Sequence, residues 1–449
     1  MHLTRALGSR LGFLGWVLGT WALALPAVHA QSPYFPPATG EWESLSLEEL
    51  GWCPEAVTEL TDYAAEHGTR ALIVLKGGRM ALELYLNGHG PDSLWYWASA
   101  GKSLTSFVVG QAQAEGFIDL DAPSSTYLGT GWSSLTPEQE AAITVRHHLT
   151  MTTGLDDGVA DDDCTLPGCL AYLAEPGTRW AYHNAPYTLL HTMLPNAIGT
   201  SLQAYMLTRL YQPIGMLGAF YPLGSPYNET FVSKARDMAR FGLLVAADGV
   251  WNGQDLLQNP TYLADMLAPS SEMNPAYGYL WWLNGSDFHR LPQTQWPFAG
   301  PLIPPAPADL KCGLGKNDQK LYVSDSLDWV VVRLGDSAGL SQLALSSFDS
   351  GIWERLMALP CDPDLGASEE PAPLETHGPC GGHRAYPVAT THLPGLEVTT
   401  PWTAFDAGGR WLASGAGPAD WATVGGQAGS PLWYLRTDAG CVYRLHSTP

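Results

Sequence analysis

The chain has 449 residues, 45% of them hydrophobic, enough for one large domain or two ordinary ones. Its formal net charge of −22 argues against nucleic acid and anionic membrane surfaces as partners, since an acidic surface repels both. The seven cysteines form no Cys-x-x-Cys pair and no His-Glu-x-x-His run is present, so neither a metal centre nor an organic cofactor is expected.

Residues 1–30 read as a secretory signal peptide. Arg5 and Arg10 precede the apolar stretch Leu11 to Leu25, Pro26 closes it, and Ala27-Val28-His29-Ala30 places small residues at a cleavage site before Gln31. The run is short for a membrane helix, and no later segment approaches a span. Cleavage removes two arginines and no acid, taking the charge from −22 to −24. Export permits disulfides. Cys164 and Cys169 flank Thr-Leu-Pro-Gly and can close a small loop; Cys53, Cys361, Cys380 and Cys441 are open to other pairings, and Cys312 is the candidate free thiol.

Residues 31–45 are rich in Pro, Ser and Gly and read as a leader. Pro54 to His67 has an amphipathic helical pattern. Ala71–Leu75 and Met80–Tyr85 read as two strands about the Lys76-Gly77-Gly78-Arg79 turn. Residues 110–216 are mostly helical in pattern. Short strands follow around Tyr277 to Leu283, at Leu321–Val323 and at Trp329–Leu334, and a helix from Ile352 to Leu359 ends at Pro360. Strands at both ends with helices between them predict an α+β domain over 46–360 whose sheet joins sequence-distant parts. Residues 361–384 read as a linker, and 385–449 as a small β-sandwich of short strands: Tyr386-Pro387, Leu396–Val398, Ala404–Arg410, Leu432–Arg436 and Val442–Leu445.

The chemistry centres on Ser99-Ala100-Gly101-Lys102 at the start of the apolar run Phe107-Val108-Val109. Positions i and i+3 share a helix face, which brings the Lys102 amine to the Ser99 hydroxyl. A serine becomes a nucleophile when a base takes its proton, and an amine in a dry pocket can serve. The plainer alternative is a polar helix start with a capping serine. Tyr182-His183-Asn184 offers a phenol to accept the serine proton, provided that Lys102 lowers its pKa, and an amide with donor and acceptor for a substrate. Lys311-Cys312-Gly313-Leu314-Gly315 leads into a strand, whose Gly-rich edge lets a substrate carbonyl approach backbone N–H groups and, with the Ser99 N–H, form an oxyanion hole. His147, His148 and His183 would permit a Ser-His-Asp site, but no Gly-x-Ser-x-Gly elbow surrounds Ser99. Asp156, Asp157 and Asp161–Asp163 lack the twelve-residue calcium pattern and read as solvated.

The order Ser-x-x-Lys, Tyr-x-Asn, then a Gly-containing strand resembles the penicillin-binding-protein and class C β-lactamase-like family of serine hydrolases. The flanks Leu149–Leu155, Tyr182–Leu190, Arg236–Gly242 and Tyr277–Trp282 are similar to that family's, and the resemblance covers about 46–360. It implies an antiparallel sheet flanked by helices plus a helical subdomain. It also implies Ser99 as acylated nucleophile, Lys102 as its helper, Tyr182 as general base and then acid, and Asn184, Lys311, Gly313 and Gly315 as substrate-binding residues. The Lys-Thr-Gly of the β-lactamases is replaced by Lys311-Cys312-Gly313, while the Gly-Lys-Asn-Asp-Gln form of 315–319 resembles the esterase-like branch. The expected activity is therefore cleavage of a small-molecule or peptidoglycan-like ester or amide. A true β-lactamase, a D-alanyl-D-alanine peptidase and a non-catalytic binding or sensor protein are the alternatives. The last 65 residues resemble the sorting tails of type IX secretion. That resemblance implies recognition by an export machinery and an extracellular or cell-surface location, or a periplasmic one should the tail be a carbohydrate-binding or structural β module.

Overall fold

The computed structural model describes residues 33–339, 345–361 and five strands between 385 and 446. The signal-peptide and linker readings lie outside the described residues, as do Cys380 and Cys441.

The hairpin forms where the sequence indicates. Strands Thr69–Lys76 and Arg79–Tyr85 pair antiparallel, joined by Gly77 and Gly78 at φ +58° and +80°, the left-handed pair that a two-residue hairpin turn requires. Thr69–Lys76 also pairs with Trp329–Gly335, more than 250 residues away, so the sheet does join sequence-distant parts. Its six strands run in the order Arg79–Tyr85, Thr69–Lys76, Trp329–Gly335, Gln319–Ser324, Lys311–Gly315, Trp282–Leu283, all antiparallel. The central strands are buried on both faces because each face carries a helix. Leu321 meets Gly242 of helix Ala235–Ala246, where a Cβ would lie 2.5 Å from Val330 Cγ1. The adjacent Tyr322 points to the opposite face, edge-on to Trp353 of helix Ser347–Met357.

Helix Ser347–Met357 starts five residues before the expected Ile352, because Ser346 and Asp349 form a capping box. Residues 110–216 hold less helix than their pattern indicates. Several helices there are short, and 150–183 is largely irregular, its turns closed by backbone and side-chain hydrogen bonds. Residues 33–45 pack on the domain: Tyr34 N–H donates to Gly77 O, Phe35 stacks near Trp251, and Arg240 donates to the carbonyls of Pro36 and Pro37. Disulfide Cys53–Cys361 ties the first long helix to the end of the domain, and Cys164–Cys169 closes the small loop. Cys312 is free and buried. The C-terminal strands Ala385–Pro387, Pro401–Asp406, Trp411–Ala416, Leu432–Thr437 and Val442–His446 form, among the described residues, one five-stranded sheet; Leu396–Val398 lies outside them. Among the described residues no helix is long and apolar enough to cross a membrane.

Candidate active site

The Ser99 turn is held from beneath by Trp97. Its indole is fully buried, donates to Ser233 Oγ at 2.8 Å and stands edge-on to Phe231 at 4.8 Å. Ala98 then takes φ +48°, a left-handed conformation that costs a non-glycine residue roughly 1–3 kcal/mol. A 3-10 turn, Ala98–Ala100, carries Ser99 into helix Gly101–Ala114. Ser99 is second in that turn, so its N–H has no acceptor within it.

Lys102 is buried and donates from Nζ to Ser99 Oγ at 3.1 Å and to Asn184 Oδ1 at 2.8 Å. The same amine lies 4.4 Å from the Tyr187 ring centre and 5.2 Å from that of Tyr182. Helix Asn184–Ile198 turns Asn184, Tyr187 and His191 toward helix Gly101–Ala114, one stripe at helical spacing. Thr105, one turn beyond Lys102, meets the Tyr187 hydroxyl at 3.2 Å and His191 Nε2 at 3.0 Å. Asn184 Nδ2 donates to Asp162 Oδ2 at 3.2 Å, so its amide is engaged on both sides.

Tyr182 stacks on Trp282, meets Tyr277 edge-on, and lines the same cavity as Ser99. Burial pushes its pKa well above the usual phenol value, and Asp162 adds to the rise. The expected lowering by Lys102 is therefore absent: the amine is aimed at Ser99 and Asn184, and the aromatic slot dominates. Lys102 moves the other way. Burial brings it down to about 8, opposed by Asp163 and Asp162. The group that can be neutral near physiological pH is the lysine, and the phenol keeps its proton.

The strand Lys311–Gly315 packs against the Ser99 turn, and Lys316, the residue just past it, reaches the cavity. The strand's outer neighbour, Trp282–Leu283, pairs only with Cys312 and Lys311, which leaves the edge from Gly313 onward open toward the Ser99 turn. A Cβ at Gly315 would sit 2.3 Å from Trp97 O and 3.2 Å from Ala100 N, and one at Gly313 would sit 3.3 Å from Ser103 Oγ. Only glycine lets the two backbones approach this closely. Lys311, the lysine expected at the substrate, instead pairs its ammonium with Asp325. Besides Lys102, the lysine that lines the cavity is Lys316, just past the strand. The cavity holds about 460 Å³ and includes Ser99, Lys102, Tyr182 and Asn184, together with Asp162, Asp163, Tyr187 and Glu229, whose roles were not read from the sequence. Tyr187 falls within the Tyr182–Leu190 segment, and Asp162 and Asp163 read in the sequence as solvated.

The histidines stand apart from Ser99. His148 is buried between Ser124 Oγ and Pro186 O at 2.9 and 2.7 Å, His147 accepts from Thr144 N–H at 3.0 Å, and both ring nitrogens of the buried His183 lack partners.

Residues 60–300, more than half of the chain, match the family model described as Beta-lactamase. The chain belongs to the β-lactamase family. Within it, the chain is 30% identical over 130 residues to a β-lactamase of Escherichia coli K12, spanning 27% of this chain and about a third, 33%, of that one. Among solved structures, a provisionally assigned β-lactamase from Bacteroides dorei superposes with a TM-score of 0.54 at 15% identity, over 69% of this chain and 98% of that one. A provisionally assigned 6-aminohexanoate-dimer hydrolase from Bacillus anthracis gives 0.53 at 20%, over 73% and 91%. These structures establish the β-lactamase-like fold of the domain.

Proposed function

We propose that this protein is a serine hydrolase that cleaves an ester or amide through an acyl-enzyme on Ser99. The observation that carries this reading is the Ser99 hydroxyl, 3.1 Å from the buried Lys102 amine, in a cavity that Tyr182 and Asn184 also line.

In this mechanism Ser99 Oγ attacks the substrate carbonyl carbon while its proton passes to neutral Lys102 Nζ. The new oxyanion is held by the Ser99 N–H and a backbone N–H at the Gly315–Lys316 end of the strand. When the tetrahedral intermediate collapses, the bond to the leaving group breaks, the leaving atom takes the Tyr182 proton, and the Lys102 ammonium restores the phenol. Water then attacks the acyl-enzyme by the reverse proton path, releasing the acid and free Ser99. Asn184 positions Lys102 through the 2.8 Å hydrogen bond, a role that its engaged amide supports better than direct contact with substrate.

A β-lactamase or D-alanyl peptidase reading is favoured by one observation, the cation of Lys316 on the cavity wall, where it can meet a carboxylate. Turnover of p-nitrophenyl acetate and butyrate beside nitrocefin, with Ser99→Ala as control, separates the readings. Ester cleavage that needs Ser99, with nitrocefin untouched, is the expected result. Fast nitrocefin hydrolysis would assign the β-lactamase reading, and no turnover together with no fluorophosphonate labelling would favour a non-catalytic role. We further propose that the chain is exported, a reading supported by the two disulfides among the described residues; fractionation of cells and medium tests it.

A further inference from the structure

One side of the cavity is built from carboxylates. Asp162 and Asp163 sit on a turn held by the Cys164–Cys169 disulfide and by the hydrogen bond from Ala185 N–H to Asp162 O at 2.8 Å. Asn228 Nδ2 donates to Asp163 Oδ1 at 3.0 Å, which brings the neighbouring Glu229 to the same wall. Several acids elsewhere in the chain have basic partners, such as Asp157 with Arg179, Asp121 with Arg146 and Asp92 with Lys234. Among the described residues no Lys or Arg nitrogen lies within 4.0 Å of the Asp162, Asp163 or Glu229 carboxylates.

The cations that face this wall do not balance it. Lys102 is the only buried one, and the catalytic cycle needs it neutral. Lys316 comes from the far strand end and forms no ion pair among the described residues. His191 Nδ1 lies 3.9 Å from Glu229 Oε2, but burial and Lys102 hold the ring neutral, its pKa down to about 3. Asp162 registers the deficit, since burial and the neighbouring Asp163 raise its pKa above the usual carboxylate value. A net charge of −22 also concentrates cations at the surface.

Building on the serine-hydrolase reading, we propose that the substrate carries a cationic amine or ammonium group close to the scissile ester or amide bond, seated against Asp162, Asp163 and Glu229. Cation and acidic wall attract most strongly where water is excluded, so the preference is for charge rather than for chain length or bulk.

Two isologous pairs test this, one for each side of the scissile bond. The first sets p-nitrophenyl 6-aminohexanoate against p-nitrophenyl heptanoate. The second sets acetylcholine against 3,3-dimethylbutyl acetate. The expected result is at least a tenfold higher kcat/KM for the cationic member of one pair, with Asp163→Asn and Glu229→Gln each moving that ratio toward one. Equal or lower kcat/KM for the cation in both pairs, with Ser99-dependent turnover of the neutral esters intact, overturns the proposal and leaves the hydrolase reading standing. A preference for p-nitrophenyl hemiadipate, the anionic analogue, overturns it in favour of Lys316. No Ser99-dependent turnover of any of these esters overturns both.

Discussion

Asn184 Oδ1 accepts a hydrogen bond from Lys102 Nζ at 2.8 Å, and the same amine donates to Ser99 Oγ at 3.1 Å. Asn184, two places after Tyr182, thus holds the Lys102 amine on the Ser99 hydroxyl. Asn184→Asp places an anion at that distance, which favours the ammonium form of Lys102. In the proposed mechanism the neutral amine activates Ser99, so the rise of kcat/KM with pH should move upward by about one unit or more. Full pH profiles of wild type and variant check this; an unmoved inflection would place the base elsewhere.

The wild-type profile is itself a prediction. With Lys102 brought down to about 8 by burial, kcat/KM should climb through that region and level off above it. Lys102→Met should lower kcat by about 10³-fold or more while leaving the fold intact by circular dichroism. A profile flat from neutral to alkaline pH would show that Lys102 does not act as the base.

Tyr182 enters as a protonated phenol, since burial between Trp282 and Tyr277 raises its pKa. Tyr182→Phe should therefore cost most where the leaving group needs a proton, about 10²- to 10⁴-fold on an alkyl ester or amide. On p-nitrophenyl esters, whose leaving group departs as the anion, the loss should be much smaller. Equal losses on both substrates would make Tyr182 a packing residue.

Acid stability should fall in a defined window. Burial lowers His148 and His183 to about 4 and His191 to about 3, whereas the unfolded chain holds them near 6.5. Between those values the unfolded state binds more protons, so stability rises with pH across pH 4 to 6.5 and is fully present above it. Melting temperatures across pH 4–8 should show this slope, and His183→Leu, which removes a ring with no hydrogen-bond partner, should flatten it.

Behind the sheet, Lys320 Nζ meets Asp349 Oδ2 at 2.8 Å and Asp318 Oδ1 at 3.2 Å, and the Tyr322 hydroxyl donates to Asp349 at 2.6 Å, all fully buried or nearly so. Asp349→Ala leaves a buried ammonium without this partner and removes a helix-capping group. Chemical denaturation should show a loss of about 3–5 kcal/mol.

Local patterns were readable from residue order alone. The Gly77-Gly78 turn, the Ser99–Lys102 spacing and the Cys164–Cys169 loop each depend on contacts a few residues apart, where backbone geometry follows directly from residue type. The rest depended on which distant segments meet. The sequence offers Lys311 as the substrate-binding lysine; in the fold Lys311 pairs with Asp325 and Lys316 lines the cavity. Asp162 and Asp163 read as solvated until the fold set them beside Lys102. The sequence reads Tyr182 as accepting the Ser99 proton with Lys102 lowering its pKa; the aromatic slot that instead keeps the phenol protonated is assembled from residues about 100 positions further along. Nearest-neighbour chemistry is written in the order of the residues, whereas desolvation and charge balance belong to surroundings that exist only once the chain has folded.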